Sequence, residues 1–481
     1  MNGRTAGSAR PHVVVVGGGI SGLAAAWALS RDTGVDVTVL EGSANVGGKI
    51  AAVRVDGATV DAGAESLLAR RPEAVELVEA VGLGADLIHP AVAGSSVWTR
   101  DRLRPLPAGQ LMGIPGDLKA LAASRVLSLR GLARVPLDLA LPATPVDADV
   151  AVGRYVTARL GREVVDRLVE PLLGGVYAGH ADDLSLAATM PALVPALRGG
   201  RSLIDAVGQL APRPNGSAPT PVFASVRGGL HLLPNAVASA SGARIRTGST
   251  VRRVEREASG WRLIIGPAKA PEVVTADAVV IAVPAAPASR LLADLVPHAA
   301  ADLAAIEYAS VAIVTFAFAG STRVLVDSSG PLRGTGFLVP PVEGRTIKAV
   351  TYLSRKWGRD GVDPVTVLRA SVGRHREEAD LQRDDADLAG AVLGDVAAAT
   401  GISDSPVDVA VTRWGGGLPQ YAVGHVQRVE RVLRAVQAVP GLAVCGAAYE
   451  GVGIAACVAS ANASATRILE SLRARGQWLH G

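Results

Sequence analysis

Short apolar runs separated by glycines and charged residues dominate the start of the chain. Residues 13–16 are four consecutive valines, and residues 35–40 form a second run in which apolar side chains alternate with polar ones. Such β-branched runs are typical of buried strands. Between them, residues 23–29 consist mainly of Ala and Leu, as expected for a closely packed helix. The pattern therefore predicts a strand, a helix and a second, parallel strand.

Strand-like and helix-like runs continue through the rest of the chain. The strand-like runs cover residues 273–283, 311–318, 347–353 and 442–446. Residues 152–167 have the apolar spacing of a helix. Because strands and helices alternate in this way, the pattern predicts an α/β protein with a helical segment in its middle.

The turn between the first strand and the first helix carries a glycine motif. Gly17, Gly19 and Gly22 have GxGxxG spacing, and Glu41 ends the second strand nineteen residues after Gly22. In dinucleotide-binding folds these glycines permit the tight turn, the approach of the pyrophosphate and the packing of the helix. An acidic side chain at the position of Glu41 binds ribose hydroxyls. The motif therefore predicts a dinucleotide site.

Two other interpretations of this segment compete with a nucleotide site. Residues 13–30 carry no charge and follow Arg4 and Arg10, which is also typical of a signal peptide or a membrane span. The glycines and the second strand argue against both. The other alternative is a glycine turn that binds nothing, which the presence of Glu41 disfavours.

Composition limits the classes of function. The chain has 481 residues, of which 49% are apolar and 19% charged, which indicates a globular protein of two or three domains. The net charge of +4 suits an anionic ligand or a lipid surface, and no basic stripe indicates nucleic-acid binding. Cys445 and Cys457 have no metal-ligating neighbours, so we expect buried thiols and no metal site.

Further motifs follow along the chain in a fixed order. They are Gly47-Gly48-Lys49, the Gly-Ala-Glu-Ser loop at 63–66, Pro-Leu-Leu-Gly-Gly-Val-Tyr-Ala-Gly at 171–179, Pro-Gln-Tyr at 419–421 and Gly-Val-Gly-Ile at 451–454. With the glycine motif and Glu41 they resemble the flavin amine-oxidase superfamily. Within it, they resemble the oxygen-dependent protoporphyrinogen/coproporphyrinogen oxidases, and the bacterial coproporphyrinogen III oxidase type most closely. The loop at 63–66 departs from that family, where it is commonly Gly-Pro-Asp-Ser or Gly-Pro-Arg-Gly.

The resemblance implies FAD as a non-covalent cofactor. It also implies that the N-terminus of the last helix faces the flavin and stabilises the negative charge of its reduced form. The cofactor-binding residues that it implies are Gly17, Gly18, Gly19, Ile20, Ser21, Gly22, Glu41, Gly42, Lys49, Gly63, Ala64, Glu65, Ser66, Val251, Trp414, Val452, Gly453 and Ile454.

The resemblance further implies a Rossmann-like FAD-binding domain assembled from discontinuous segments, with an inserted helical domain and a mixed-sheet substrate domain. The expected FAD-binding segments are residues 1–95, 223–284 and 411–481. A helical domain that faces a membrane or lines the substrate site is expected at 96–222, and the substrate sheet domain at 285–410.

Candidate substrate residues follow from the chemistry of carboxylates. The resemblance places the loop at 63–66 near the flavin, and we call it the flavin loop. Arg70 and Arg71 follow it closely in the sequence. Because guanidinium groups bind carboxylates through paired hydrogen bonds, these two residues are a candidate substrate clamp. A solvated pair of charges is the alternative. Tyr177 is a candidate pocket residue or a packed core tyrosine. His425 is more simply a structural histidine than a base, and we expect no indispensable acid or base.

The resemblance implies a haem-biosynthesis oxidase. It would convert coproporphyrinogen III to coproporphyrin III by successive hydride transfers to FAD, with oxygen as acceptor and hydrogen peroxide as product. Protoporphyrinogen IX oxidation is the main alternative. Another flavoenzyme of the amine-oxidase superfamily, or a non-enzymatic escort protein on the same fold, is a weaker one.

Charge favours the first of these substrates. Coproporphyrinogen carries four propionates and protoporphyrinogen two, and the middle of the chain adds further cations, namely Lys119, Arg125, Arg130 and Arg134. The expected partners are a porphyrinogen, molecular oxygen and, as a candidate, the next haem-pathway enzyme, ferrochelatase. We expect no nucleic-acid partner, and a cytoplasmic location with at most peripheral contact with a membrane.

Overall fold

The computed structural model describes residues 10–32, 34–146, 148–211, 221–319, 334–359 and 365–475. Within these ranges the chain is a mixed α/β protein. It contains a parallel sheet covered by helices, a large mixed sheet and a helical unit with its own apolar core. The predicted fold class is confirmed.

The parallel sheet joins segments that are far apart in sequence. Its strands, in spatial order, are Arg244–Arg246, Asp36–Leu40, His12–Val16, Ala278–Ile281 and Leu442–Val444. The central strands are buried on both faces because helices cover both sides. One face carries Ile20–Ser30, Pro72–Val78, Leu233–Ser241 and Ile454–Ala474, and the other carries Ala285–Leu292, Pro297–Ala304 and His425–Gln437.

The described part of the chain also contains small antiparallel sheets. One contains Val251–Glu257, Gly260–Ile265 and Glu272–Ala276, and another contains Leu67–Leu68, Phe223–Val226 and Leu87–Ile88. The two-stranded pairs are Ala52–Val55 with Ala58–Asp61, and Gln110–Leu111 with Ile114–Pro115.

The mixed sheet is the largest sheet in the described part of the chain. Its strands, in spatial order, are Asp408–Pro419, Tyr308–Ala319, Val365–Val372, Ile347–Tyr352, Gly336–Leu338, Ser96–Thr99 and Arg102–Pro105. Helix Asp385–Thr400 covers one face and shares an apolar core with it. The short helix Leu353–Lys356 follows the Ile347–Tyr352 strand and packs on a smaller cluster. The opposite face of the sheet is directed towards the flavin loop at 63–66.

The helical unit lies between Leu118 and Leu210. Its helices are Leu118–Ser124, Leu129–Arg134, Val152–Leu160, Arg162–Val164, Glu170–Tyr177, Leu186–Thr189, Leu193–Arg198 and Leu203–Leu210. A π-helical turn at Val165–Val169 leads directly into Glu170–Tyr177, which we call the glycine-rich helix. Among the described helices, none combines the length and the apolar composition that crossing a bilayer requires.

The structure places three segments differently from the expected domain boundaries. Ser96–Thr99 and Arg102–Pro105 belong to the mixed sheet and not to the helical unit. The strand Asp408–Pro419 also belongs to this sheet and runs across the expected boundary at 410. The helices between 285 and 304 pack on the parallel sheet. Strand pairing and helix packing between distant segments decide which part of the structure each segment joins. Local periodicity does not encode these long-range contacts.

Candidate functional site

The glycine motif forms the turn between the first strand and the first helix. Gly17 has a φ of +109°, and a Cβ there would lie 2.7 Å from the Ala282 carbonyl oxygen. A Cβ on Gly22 would lie 1.9 Å from the Gly17 carbonyl oxygen, whereas a Cβ on Gly19 would meet no atom within 4 Å. The turn is therefore tightly packed against the protein and open beside Gly19, where a diphosphate would approach.

The first helix begins at Ile20 with its N-terminus uncapped. Gly19 is the N-cap residue, no side chain caps the helix, and its first turn contains no acidic residue. The backbone N–H groups at Ile20, Ser21 and Gly22 carry the partial positive charge of the helix N-terminus. A phosphate anion is the natural ligand for such an end.

Glu41 lies beside this turn, at the end of the second strand. One carboxylate oxygen accepts a hydrogen bond from the Gly18 N–H at 2.6 Å, and the other accepts one from the Ser43 N–H at 2.7 Å. Each oxygen keeps a further lone pair for a hydroxyl donor. A Cβ on Gly42 would lie 3.1 Å from Thr250 Oγ1, so Gly42 lies next to the start of the strand that begins at Val251.

The segment around Lys49 connects the glycine turn to the flavin loop. The N–H of Gly47 donates to the Gly18 carbonyl oxygen at 2.8 Å, and the N–H of Ala64 donates to the Lys49 carbonyl oxygen at 3.0 Å. A Cβ on Gly63 would lie 2.0 Å from that same carbonyl oxygen. Burial lowers the pKa of the Lys49 ammonium. Because glycine has no side chain, the backbone segments at these positions can approach one another closely.

Glu65 holds the flavin loop to the mixed sheet. Its carboxylate pairs with the ammonium of Lys356, and Arg369 Nη1 donates to its other oxygen at 2.9 Å. Arg369 Nη2 also donates to the Gly63 carbonyl oxygen at 2.8 Å. Burial by itself raises the pKa of Glu65, but Lys356 and Arg369 outweigh it, so the pKa is lowered. Glu65, which departs from the family pattern together with Ala64, is therefore an ionised anchor, while its neighbour Ser66 is partly exposed.

Two segments from the second half of the chain reach the same region. Trp414 Nε1 donates to the Ala62 carbonyl oxygen at 3.0 Å, and a Cβ on Gly63 would lie 3.2 Å from the Trp414 ring. The last helix begins at Ile454, with Gly453 as an exposed N-cap beside the partly exposed Val452. A Cβ on Gly453 would meet no atom within 4 Å, so this helix N-terminus is open.

The glycine-rich helix packs against the strands Gly336–Leu338 and Ile347–Tyr352 of the mixed sheet, but some surface there stays accessible. Gly175 is exposed although it faces the sheet, where a Cβ on it would lie 3.7 Å from Leu338. On the sheet face opposite the apolar core, Ile313, Ala349 and Thr351 are partly exposed even though they lie within strands. We take this accessible surface between the helix and the sheet as the candidate substrate cavity.

The aromatic residues near the glycine-rich helix are packed and hydrogen-bonded. The ring centroids of Tyr177 and Tyr421 lie 5.5 Å apart, and burial raises the pKa of Tyr177 to about 12. His425 stacks on Tyr421 at 3.9 Å, and its Nε2 lies 3.0 Å from the Tyr449 carbonyl oxygen. Burial lowers the pKa of His425 to about 4, so the ring is neutral at pH 7. Both side chains have the environment of core residues.

The two arginines of the candidate clamp lie on the surface. Arg70 is exposed, and Arg71 pairs with Glu73 at 2.8 Å at the start of the Pro72–Val78 helix. To bind a substrate carboxylate, Arg71 would have to leave Glu73. The clamp stays a prediction.

Four cations near the cavity belong to no recognisable sequence motif. Lys356 and Arg369 hold Glu65, while Lys348 and Arg374 are almost fully buried at the far end of the mixed sheet. Their signal in the sequence was a charged residue inside or next to an otherwise apolar strand. This pattern is ambiguous because it does not show on which face of the sheet the charged side chain lies.

The residues present fit a dinucleotide that carries a flavin. The open side of Gly19 and the uncapped first helix suit a diphosphate, and Glu41 suits ribose hydroxyls. The loop at 63–66, Trp414 and the last helix border the place where the other end of the cofactor would lie.

Comparisons with known proteins agree with this geometry. The family model described as flavin containing amine oxidoreductase matches residues 20–469. The coproporphyrinogen III oxidase of Bacillus subtilis (strain 168) is 33% identical over 477 residues, which cover 96% of this chain and 99% of that protein. The Mycobacterium tuberculosis (strain H37Rv) protein of the same name is 36% identical, over 96% and 98% of the two chains.

A solved structure shows the same architecture. A protein from Exiguobacterium sp. 255-15, provisionally named a protoporphyrinogen oxidase, aligns with a TM-score of 0.83 and 34% identity over 97% of this chain and all of that one. Cyclohexylamine oxidase from Brevibacterium oxydans aligns with a TM-score of 0.71 at 18% identity, which shows a shared fold. The family match confirms the predicted flavin cofactor, FAD.

Proposed function

Because this chain belongs to the flavin containing amine oxidoreductase family, we propose that it is an FAD-dependent oxidase that converts coproporphyrinogen III to coproporphyrin III. The observation that carries the proposal is the nearly full-length similarity to bacterial proteins named coproporphyrinogen III oxidase. The glycine turn, Glu41 and the two open helix ends support the flavin part of the proposal.

The chain contributes binding and orientation to this reaction. FAD, when bound, accepts a hydride from the substrate and passes two electrons to an acceptor, which we propose is oxygen, with hydrogen peroxide as product. The glycine-rich helix and the mixed sheet would hold the macrocycle in the cavity between them and exclude water from it. Neither Tyr177 nor His425 is placed as an acid or base, because both are buried and packed.

The positive charges around the cavity support a polyanionic substrate. Lys348 and Arg374 are each less than 10% exposed on or next to the mixed sheet. A substrate with four propionates can form more contacts with these cations, and so gain more binding free energy, than a substrate with two. The protoporphyrinogen oxidase of Bos taurus, at 31% identity over 95% of this chain, keeps protoporphyrinogen IX as the second candidate.

The deciding experiment compares the two substrates side by side. We expect kcat/KM for coproporphyrinogen III to exceed that for protoporphyrinogen IX by about tenfold or more, since one additional charged contact contributes roughly 1.5–3 kcal/mol. Hydrogen peroxide should appear with each two-electron step. A higher kcat/KM for protoporphyrinogen IX would show that the proposed substrate is wrong.

The proposed clamp has its own test. If Arg70 and Arg71 bind substrate carboxylates, the double variant Arg70→Ala/Arg71→Ala should lose most of the preference for the tetra-carboxylate. An unchanged preference would refute the clamp and leave the substrate assignment intact. The exposure of both side chains means that solvent screens them, which limits the expected loss to about tenfold.

Ferrochelatase and a lipid surface remain proposed partners. The chain offers one feature relevant to a lipid surface, since Leu129 is 87% exposed, beside Arg130 and near the exposed Leu137. An apolar side chain among cations suits an interface with anionic lipids. Sedimentation with anionic vesicles, compared between wild type and Leu129→Ser, would test peripheral binding.

A further inference from the structure

Lys348 occupies an irregular position in the mixed sheet. The pairing between Ile347–Tyr352 and Val365–Val372 shifts register between Ile347 and Ala349, which makes Lys348 the extra residue of a bulge. Ile347 and Val350 belong to the apolar core on one face of the sheet. The bulge therefore places Lys348, like the partly exposed Ala349, on the opposite face, which borders the cavity.

The Lys348 ammonium is buried without a counter-ion. The residue is 5% exposed, and no carboxylate in the described part of the chain lies within ion-pair distance of it. The charged group that acts on it is Arg374, which is 6% exposed and repels it. Burial, followed by this repulsion, lowers the pKa of Lys348 to about 7. Two buried cations next to each other are costly unless an anion joins them.

Arg374 is fixed at the edge of the cavity. Its Nη2 donates to the Val339 carbonyl oxygen at 3.0 Å, while the Val339 N–H donates to the Lys348 carbonyl oxygen at 2.8 Å. A Cβ on Gly174 of the glycine-rich helix would lie 3.9 Å from Arg374 Nε and meet nothing else within 4 Å. The glycine-rich helix thus lies close to the guanidinium and presents no side chain to it at Gly174.

Glu377, whose side chain is half exposed, and the buried Glu170 are the acidic groups that act on Arg374, Glu377 more strongly. Glu170 is engaged elsewhere. One of its oxygens accepts the Ala181 N–H at 2.9 Å, and the other is buried without a partner. Burial raises the pKa of Glu170, which favours its neutral form. Glu170 attracts Arg374 weakly and does not reach Lys348.

We propose that Lys348 and Arg374 together bind one carboxylate of the substrate at the end of the cavity distant from the flavin loop. This inference rests on the proposed function and adds a specificity-determining site to it. Lys348 lies three residues along its strand from Thr351, which pairs with the flavin-loop anchor Arg369. At about 3.4 Å per residue this is about 10 Å. When a macrocycle presents a bridging carbon to the flavin, its propionates point away from the flavin. They would then lie at about the distance of Lys348 from the flavin loop.

Lys348→Met is the informative variant, because it removes a buried charge and keeps the length of the side chain. We expect KM for coproporphyrinogen III to rise by at least about tenfold with little change in kcat. Flavin content should remain that of wild type. Lys269→Met is the matched control, since it removes the same charge from an exposed turn position, and it should leave KM unchanged. Lys348→Gln serves if the methionine variant does not fold.

Binding of a charged and an uncharged porphyrin separates recognition from structure. Coproporphyrin III and its tetramethyl ester would each be titrated into the oxidised, flavin-replete protein while the porphyrin fluorescence is followed. We expect Lys348→Met to weaken binding of the acid by at least about tenfold and to leave binding of the ester unchanged. Equal weakening of both ligands would mean that Lys348 only shapes the cavity, and would refute the carboxylate site.

The failures of the two proposals are distinguishable. If the wild type does not oxidise coproporphyrinogen III, the proposed function is wrong and the site falls with it. If the wild type oxidises it and the KM of Lys348→Met stays within twofold of wild type, only the carboxylate site is wrong.

Discussion

The missing Cβ has opposite consequences at two glycines of one turn. At Gly19 it leaves open space that the protein does not fill, and at Gly22 it prevents a clash with the Gly17 carbonyl oxygen. We therefore expect Gly19→Val to fold as an apoprotein but to bind no flavin, because its side chain occupies the place of the diphosphate. Absorbance of the purified protein and its apo-state Tm check this.

Gly22→Ala provides the contrast to this variant. It should lower the free energy of unfolding by about 1–3 kcal/mol or more through overpacking, whether or not FAD is present. A yellow Gly19→Val protein with full flavin content would contradict the assignment of this turn to the diphosphate.

The buried His425 gives stability a pH dependence. The unfolded chain binds a proton near pH 6.5, whereas the folded chain does so only near the lowered pKa of about 4. The neutral His425 therefore contributes fully to the free energy of unfolding above pH 6.5. This contribution, about 3 kcal/mol at most, is lost as the pH falls towards 4. His425→Phe keeps an aromatic ring on Tyr421 and removes the titration. Denaturant unfolding at pH 7 and pH 4.5 should show a smaller decline for the variant, and an equal decline would count against this explanation.

At the scale of elements, the flavin loop is joined to the mixed sheet by a buried ion cluster. Glu65→Gln would leave Lys356 and Arg369 without their carboxylate, so we expect a loss of about 3 kcal/mol in the free energy of unfolding at pH 7. Because the pKa of Glu65 is lowered, the difference from wild type should shrink as the pH falls below the ordinary value of a glutamate.

Glu73→Gln is the matched control for this cluster. It removes the same charge from the exposed pair with Arg71, which contributes at most about 1 kcal/mol. If the Glu65 and Glu73 variants lost equal stability, the buried cluster would not be the anchor of the loop.

The last helix has an open N-terminus that should act on the flavin. Gly453→Asp adds an N-cap carboxylate, which by itself stabilises the helix by only about 0.3 kcal/mol, because glycine is already a tolerated N-cap. The same negative charge would oppose the reduced flavin, so we expect the midpoint potential to fall by about 20–40 mV, the equivalent of about 1–2 kcal/mol. Gly453→Asn, a neutral N-cap, should leave the potential close to that of wild type. A potential that does not move in Gly453→Asp would place the flavin elsewhere.

At the scale of the whole molecule, the proposed cofactor site is assembled from segments hundreds of residues apart. The glycine turn, the flavin loop, Trp414 and the last helix meet only in the folded protein. FAD should therefore stabilise the fold as a whole, by about 2.7 kcal/mol at a free concentration of one hundred times its Kd. The Tm of the apoprotein should rise with added FAD, while that of Gly19→Val should not. A Tm independent of FAD would contradict this assembly.

The sequence alone determined the parts of this protein in which one local segment carries the whole signal. The glycine turn, its helix and Glu41 lie close together in the sequence. Their spacing is therefore enough to predict how they are arranged in the fold. Residues 96–105 and 408–419 illustrate the limit, since only pairing with distant strands assigns them to the mixed sheet. The tertiary structure alone brought Lys356 and Arg369 to Glu65, and placed Lys348 beside Arg374 on the cavity face. A charged residue in an apolar strand does not reveal its partner, because the partner is set by packing between segments that are remote in sequence.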